Sequence, residues 1–254
     1  MTGADYVHDH VQAAVPVYLP PDYLTQVYED YDHTSRDTTG EFLELHGTTG
    51  SWTELAGVRY EHNQQFGDHV TGNLGAGWKL SPQVRLTATW GTAFHAPTFN
   101  DLYYPGGFGN PALKPEDSRS TELGIEGMER TLRWSVRAYQ TDVNNLIVFD
   151  FGTNLPQNIN RARIRGVELS GEWRANAWSV TGQVTLLDPI DRASDKILPR
   201  RAKQTAALDV RRSLGKASLG VVTAKESDTV ADLLDRADEN AYRAKQAGGD
   251  RFAF

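Results

Sequence analysis

A mainly β fold, an antiparallel up-and-down meander of long strands, is what this 254-residue sequence predicts. Three observations lead to it. From about Thr38 to Arg212, apolar and polar residues alternate with a period of two, the side-chain period of a strand. Gly, Pro, Asn and Asp cut that alternation at regular intervals. The cuts are alternately short and long along the chain.

Taken in order, residues 1–33 are rich in Tyr, Asp and Pro, hold no sustained period, and read as an irregular segment. The strands follow. Leu74, Ala76, Trp78 and Leu80 alternate with Asn73, Gly75, Gly77 and Lys79. In Gln83 to Phe94, one face takes Val84, Leu86, Ala88, Trp90 and Phe94, and the other takes Gln83, Arg85, Thr87 and Thr89. Leu132, Trp134, Val136 and Ala138 are interleaved with Arg133, Ser135 and Arg137. Val167, Leu169 and Trp173 likewise alternate with Glu168, Ser170 and Glu172, and Trp178, Val180, Val184 and Leu186 with Ser179, Thr181, Gln183 and Thr185. About nine strands fit between residues 34 and 215.

Alternation alone suits a soluble sandwich as well as a membrane barrel, because both bury one face of every strand. The connections favour the barrel. Short breaks at Gly47 to Ser51, Ser81 to Pro82, Gly127 to Arg130 and Arg174 to Ala177 alternate with longer ones at Glu61 to Asp68, His95 to Ser118, Phe151 to Gln157 and Asp188 to Pro199. This puts short turns at one end and long loops at the other, the asymmetry of outer-membrane barrels. Trp52, Trp78, Trp134, Trp173 and Trp178 all lie within about four residues of a short turn, where an interfacial aromatic girdle sits. Low overall hydropathy fits strands with one polar, lumen-facing side. The fold class is therefore a partial outer-membrane β-barrel with a short strand-helix-strand tail.

Composition narrows the function. A net charge of −7 with scattered Lys and Arg argues against nucleic acid as a partner. Without cysteine there is neither a disulfide framework nor a thiolate metal site. The apolar run Ala13 to Leu19 is broken by Pro16 and followed by Pro20 and Pro21, so it is neither a signal-peptide core nor a membrane helix, and no export signal is evident. His8 and His10 belong to no HExxH, no GxSxG or phosphate-cradling loop is present, and no enzyme is expected.

The run Trp90 to Glu122, WGTAFHAPTFNDLYYPGGFGNPALKPEDSRSTE, resembles the motif of TonB-dependent receptors in which a strand ends in an aromatic-x-Ala-Pro step and a Gly-Asn-Pro-x-Leu-x-Pro-Glu loop follows. Tyr139 to Glu168 is similar to the next hairpin, and Arg200 to Lys203, RRAK, to the start of the following strand pair. The spacing is most similar to the cobalamin-receptor branch. The resemblance implies an outer-membrane location in contact with lipid, uptake of a scarce small-molecule nutrient such as a corrinoid, and coupling to the TonB energy-transducing system. The motor-contact segment, the plug and the first part of the barrel are expected to lie outside this stretch of chain.

Within the resembling loop, Pro97, Pro105, Pro111 and Pro115 end strands and stiffen the chain. Gly106, Gly107 and Gly109 allow tight folding. Tyr103, Tyr104 and Phe108 could stack on a flat macrocycle, and with Asn110 they form the candidate ligand-binding set, against which plain loop packing stands as the alternative. Asp101, Asp150 and Asp188 lack calcium-loop spacing, so neither a metal nor any other cofactor is expected.

After Gly215 the sequence changes character. Lys216 to Thr223 reads as a short strand, Ser227 to Thr229 as helix caps, and Val230, Leu233, Leu234, Ala237, Ala241 and Tyr242 recur at helical spacing. Residues 216–254 resemble the end of a GGDEF-type diguanylate cyclase domain. The Gly248 to Phe252 run, GGDRF, follows the terminal helix, so it is not that family's signature loop, and cyclase activity is not expected. A signalling remnant, or a nonfunctional hybrid of two truncated genes joined near Ser213 to Ala217, stands as the alternative to a transporter.

Overall fold

The computed structural model describes residues 1–12, 14–19, 25–31, 35–198, 201–214 and 217–227. Eleven strands form one antiparallel sheet: β1 (Thr2–His10), β4 (Ser35–Thr49), β5 (Trp52–Asn63), β6 (Gly67–Lys79), β7 (Val84–His95), β8 (Glu116–Met128), β9 (Leu132–Asp150), β10 (Leu155–Ala175), β11 (Trp178–Asp191), β12 (Gln204–Leu214) and β13 (Ala217–Ser227). Each pairs with the next in that order, and among the described residues the sheet does not close. Strands β2 (Val15–Leu19) and β3 (Thr25–Glu29) form a separate hairpin, and helix α1, the one helix among the described residues, spans Phe99–Tyr103.

The register explains the alternation. Leu43 lies opposite Val58, and Ala56 opposite Leu74. Leu74 then faces Trp90, Ala88 faces Leu123, and the row continues through Ala138 and Val167 to Leu186. Side chains that face one another across a ladder share a face, so these pairs make one continuous apolar surface. Leu43, Val58, Leu74, Leu123, Val167, Leu169 and Leu186 on it are exposed. A water-soluble sheet would cover such a surface with another layer; among the described residues no such layer lies on it. The opposite face carries Arg59, Asn73, Thr87, Glu122, Tyr139, Glu168 and Gln183. Close packing there uses glycine: a Cβ on Gly166 would lie 2.5 Å from the Tyr139 ring.

The tryptophans mark the short-turn end. Trp52 pairs directly with Trp78 and their rings stack at 5.4 Å. Trp178 lies under the Arg212 guanidinium at 5.2 Å. Buried apolar side chains gather at the other end, where Val143, Leu146, Ala162 and Leu198 pack together beneath the long loops.

Three expectations change. The first 33 residues are not irregular throughout: β1 pairs along its whole length with β4, and residues between β1 and β4 hold the β2–β3 hairpin at the long-loop end. The sequence hid β1 because polar pairs rather than apolar alternation hold it, with Asp5 on Arg59 at 2.6 Å and Tyr6 and His8 both on Asp37, at 2.7 and 2.6 Å. His8 is thus a hydrogen-bond partner of Asp37 and also stacks with His10 at 6.4 Å. Second, two breaks read as long are tight turns, because β5 and β6 run to Asn63 and Gly67, and β9 and β10 run to Asp150 and Leu155. Third, the strand read in Lys216 to Thr223 is β13, which pairs with β12 as a further strand of the same sheet. The helix expected from Val230 lies outside the described residues.

Candidate functional site

Between β7 and β8, residues 96–115 form the loop that carries the candidate set. Helix α1 opens it with a capping box: Asp101 N–H donates to Thr98 Oγ1 at 3.1 Å, and Thr98 N–H to Asp101 Oδ2 at 2.9 Å. This satisfies two orphan donors and spends the Asp101 carboxylate on structure. Leu102, 1% exposed, and Leu113, 4% exposed, anchor the loop from within. Gly106 and Gly107 take φ of 78° and 76°, and a Cβ on Gly109 would meet the Leu102 carbonyl oxygen at 2.5 Å.

Asn110 is a tie within this loop. Its Nδ2 donates to the Pro156 carbonyl at 2.9 Å, and its Oδ1 accepts from Ala112 N–H at 3.1 Å. Asn158 fastens the loop from the β9–β10 side, accepting from Lys114 N–H at 2.9 Å and donating to the Lys114 and Asn145 carbonyls at 3.0 and 2.6 Å. Tyr103 is half-buried and its hydroxyl accepts from Gln65 Nε2 at 2.5 Å. Tyr104 and Phe108 are 37% and 42% exposed. The loop therefore presents two aromatic faces to solvent, while the other two candidates are bonded to neighbouring loops.

Residues outside the predicted set complete the site. Tyr31, 8% exposed, meets Tyr104 edge-on at 6.2 Å, and its hydroxyl donates to Asn100 Oδ1 at 2.6 Å. Burial, then the neighbouring Tyr104, pushes the Tyr31 phenol above its ordinary range. Glu29 Oε2 accepts from Gly106 N–H at 2.8 Å. Arg36, 9% exposed, is the node: Nη1 donates to the Pro97 carbonyl at 3.0 Å, Nη2 reaches Asp9 at 3.3 Å, and the guanidinium lies 5.2 Å from the Phe99 ring and 6.0 Å from that of Phe66. It joins β1, β4, the β5–β6 turn and the α1 loop. No motif marks Arg36, and only the Tyr richness near Tyr28 and Tyr31 hints that this segment is more than a leader.

The carboxylates weighed for a cation are placed separately. Asp150 accepts from Gly152 N–H at 2.9 Å and from Thr153 Oγ1 at 3.0 Å, bonds that hold it below its ordinary value. Among the described residues, no three His, Cys, Asp or Glu side chains gather as a metal site.

A family described as TonB dependent receptor-like, beta-barrel, matches residues 1–242. This chain belongs to that family. Its members are transport receptors rather than enzymes. The vitamin B12 transporter BtuB of Photobacterium profundum is 32% identical over 196 residues, 74% of this chain and 32% of its own length. The vitamin B12 transporter BtuB of Vibrio vulnificus is 34% identical over 179 residues, 69% of this chain and 29% of its own. The chain thus spans about a third of the length of these curated relatives. Among solved structures, the copper transporter OprC superposes with a TM-score of 0.70 at 20% identity, covering 88% of this chain and 39% of the other. The siderophore receptor PirA of Acinetobacter baumannii gives 0.63 at 18%, covering 75% and 34%. These two share the fold. The family match crosses residues 213–217, and β13 lies within it, so the GGDEF-like tail finds no support here.

Proposed function

We propose that the chain forms part of the wall and ligand-facing loops of an outer-membrane transporter for a corrinoid of the vitamin B12 class, energised through TonB. The observation that carries this is the 32–34% identity to two vitamin B12 transporters over some 70% of the chain. A continuous apolar face bounded below by tryptophans supports the membrane setting. The exposed rings of Tyr104 and Phe108, buttressed by Tyr31, support contact with a flat macrocycle, since stacked aromatic faces reward planar partners. In this reading Tyr104 and Phe108 touch the ligand, and Tyr103 and Asn110 shape the loop beside it.

Equilibrium dialysis of the full chain in detergent micelles against labelled cyanocobalamin tests the proposal. Saturable binding is expected, weakened about tenfold by Tyr104→Ala or Phe108→Ala, the equivalent of one lost aromatic stack. Binding that excess ferric enterobactin abolishes, or no saturable binding at all, overturns the corrinoid assignment.

A further inference from the structure

Across β8 to β12 the apolar face holds a depression that neither the family nor the ligand loops explain. It measures about 790 Å³. Leu123, Ala138, Val167 and Leu186, consecutive along one row of the sheet, form its floor, and Ala138 is the small residue that leaves the hollow. Its long-loop rim is polar: Gln140, Arg165, Asp188, Lys203 and Gln204. Arg165 and Lys203 are exposed.

Depth decides what meets that rim. Arg165 lies eight residues from Trp173 along β10, about 26 Å of strand at ~3.3 Å per residue. With the usual tilt of barrel strands this is roughly 20 Å along the membrane normal, close to the height of an apolar band. With Trp173 at the lower interface, Arg165 reaches the headgroup layer of the opposite leaflet. One pair further out, Arg163 faces Asp142, which also faces Arg119 on β8.

Charges and hydrogen-bond groups at the rim are incompletely used. Arg165 Nε donates to Gln140 Oε1 at 2.8 Å, which fixes the guanidinium, and Asp188 is its cross-strand neighbour on β11. The ion pairs among the described residues include neither Arg163 nor Arg165. Gln204 Oε1 and Arg163 Nε are buried without a partner. An apolar trough capped by the Arg165 guanidinium matches a molecule with acyl chains below and a phosphate above.

We propose that this depression is a binding site for one phosphate-bearing membrane lipid, its acyl chain on Leu123, Ala138, Val167 and Leu186 and its phosphate on Arg165. The site rests on the membrane placement above but not on the corrinoid assignment. Native mass spectrometry of the full chain, released from detergent, tests it with phosphatidylglycerol, with diacylglycerol of the same chains, and with inorganic phosphate. One phosphatidylglycerol is expected to stay bound per chain, at least about tenfold tighter than diacylglycerol, the worth of one charge-assisted hydrogen bond. Inorganic phosphate is expected not to displace it. Arg165→Gln is expected to remove that preference while circular dichroism stays that of the parent chain, and Arg130→Gln at the short-turn end is expected to retain it. Equal retention of the two lipids, displacement by inorganic phosphate, or an unchanged preference in the Arg165→Gln variant overturns the proposal, whether or not cyanocobalamin binds.

Discussion

Arg36→Met should loosen the ligand-facing loops without opening the sheet. The substitution keeps an unbranched side chain but removes the hydrogen bond from Nη1 to the Pro97 carbonyl and the contact with the Phe99 ring. A charge-assisted bond is worth about 1.5–3 kcal/mol, and a largely desolvated cation–π contact about 1 kcal/mol. The Asp9 partner is half-exposed at 44% of its side chain and adds little. Against these, Nε is buried without a partner, so removing it returns part of the cost. The balance is about 2 kcal/mol of local stability, equivalent to roughly 30-fold in an opening equilibrium. Hydrogen exchange reads it at two amides that bond inside the loop, Leu102 N–H to the Thr98 carbonyl and Asn110 N–H to the Asp101 carbonyl. Both should exchange about 30-fold faster in the variant, while ladder amides at Val136 and Leu169 stay protected. Unchanged exchange at Leu102 and Asn110 would mean the loop is held by Leu102 and Asn158 alone, and the assignment of Arg36 as the node would fail.

Other perturbations probe separate parts of the structure. Leu123→Arg places a charge in the middle of the exposed apolar face and should cost about 2–4 kcal/mol of folding free energy in bilayers; reversible unfolding in lipid vesicles measures it, and a loss no greater than that for Leu80→Arg near the short-turn end contradicts a membrane-facing surface. Gly166→Val forces a side chain into the Tyr139 ring, and overpacking of this kind costs about 1–3 kcal/mol; a thermal midpoint equal to the parent's argues that Tyr139 swings away freely. Asn158→Ala removes the bonds that tie Lys114 and Asn145, and proteolysis should then cut the 96–115 loop first. The turn after β11 is held by Asp191, which accepts from Ser194 Oγ and Ala193 N–H. Its carboxyl lies below the ordinary 3.8, chiefly through Ser194. A depressed carboxyl stabilises fully above the unfolded value and loses that contribution as pH falls through the folded one; Ala193 amide exchange, corrected for its intrinsic rate, should be flat from pH 7 to 5 and accelerate below about 3.8.

Sequence pattern disclosed those parts of the fold where one physical rule acts alone. Strands β4 to β12 were legible because each carries an apolar side and a polar side, and the register shows why: Leu123, Ala138 and Val167 must all face the same way. Strand β1 was not legible, because Asp5, Tyr6 and His8 are satisfied by Arg59 and Asp37 far along the chain, and no local period records such a bond. The break Phe151 to Gln157 reads too long for a related reason: beyond Thr141 the alternation stops while pairing continues to Asp150 and Leu155. In the ligand loop, the glycines and prolines announced a tight fold and the aromatics a contact surface. That Asn110 and Tyr103 spend their polar groups on Pro156, Ala112 and Gln65 depended on which loops become neighbours.

Because the chain has no cysteine, single cysteines placed one at a time along β10 from Val167 to Trp173 test the membrane-barrel account most directly. In lipid vesicles, a water-soluble maleimide should label positions 168, 170 and 172, and a lipid-soluble quencher should reach fluorophores at 167, 169, 171 and 173, a strict period of two. Labelling of both sets by the water-soluble reagent, with no quenching from lipid, would contradict a sheet whose apolar face meets the bilayer.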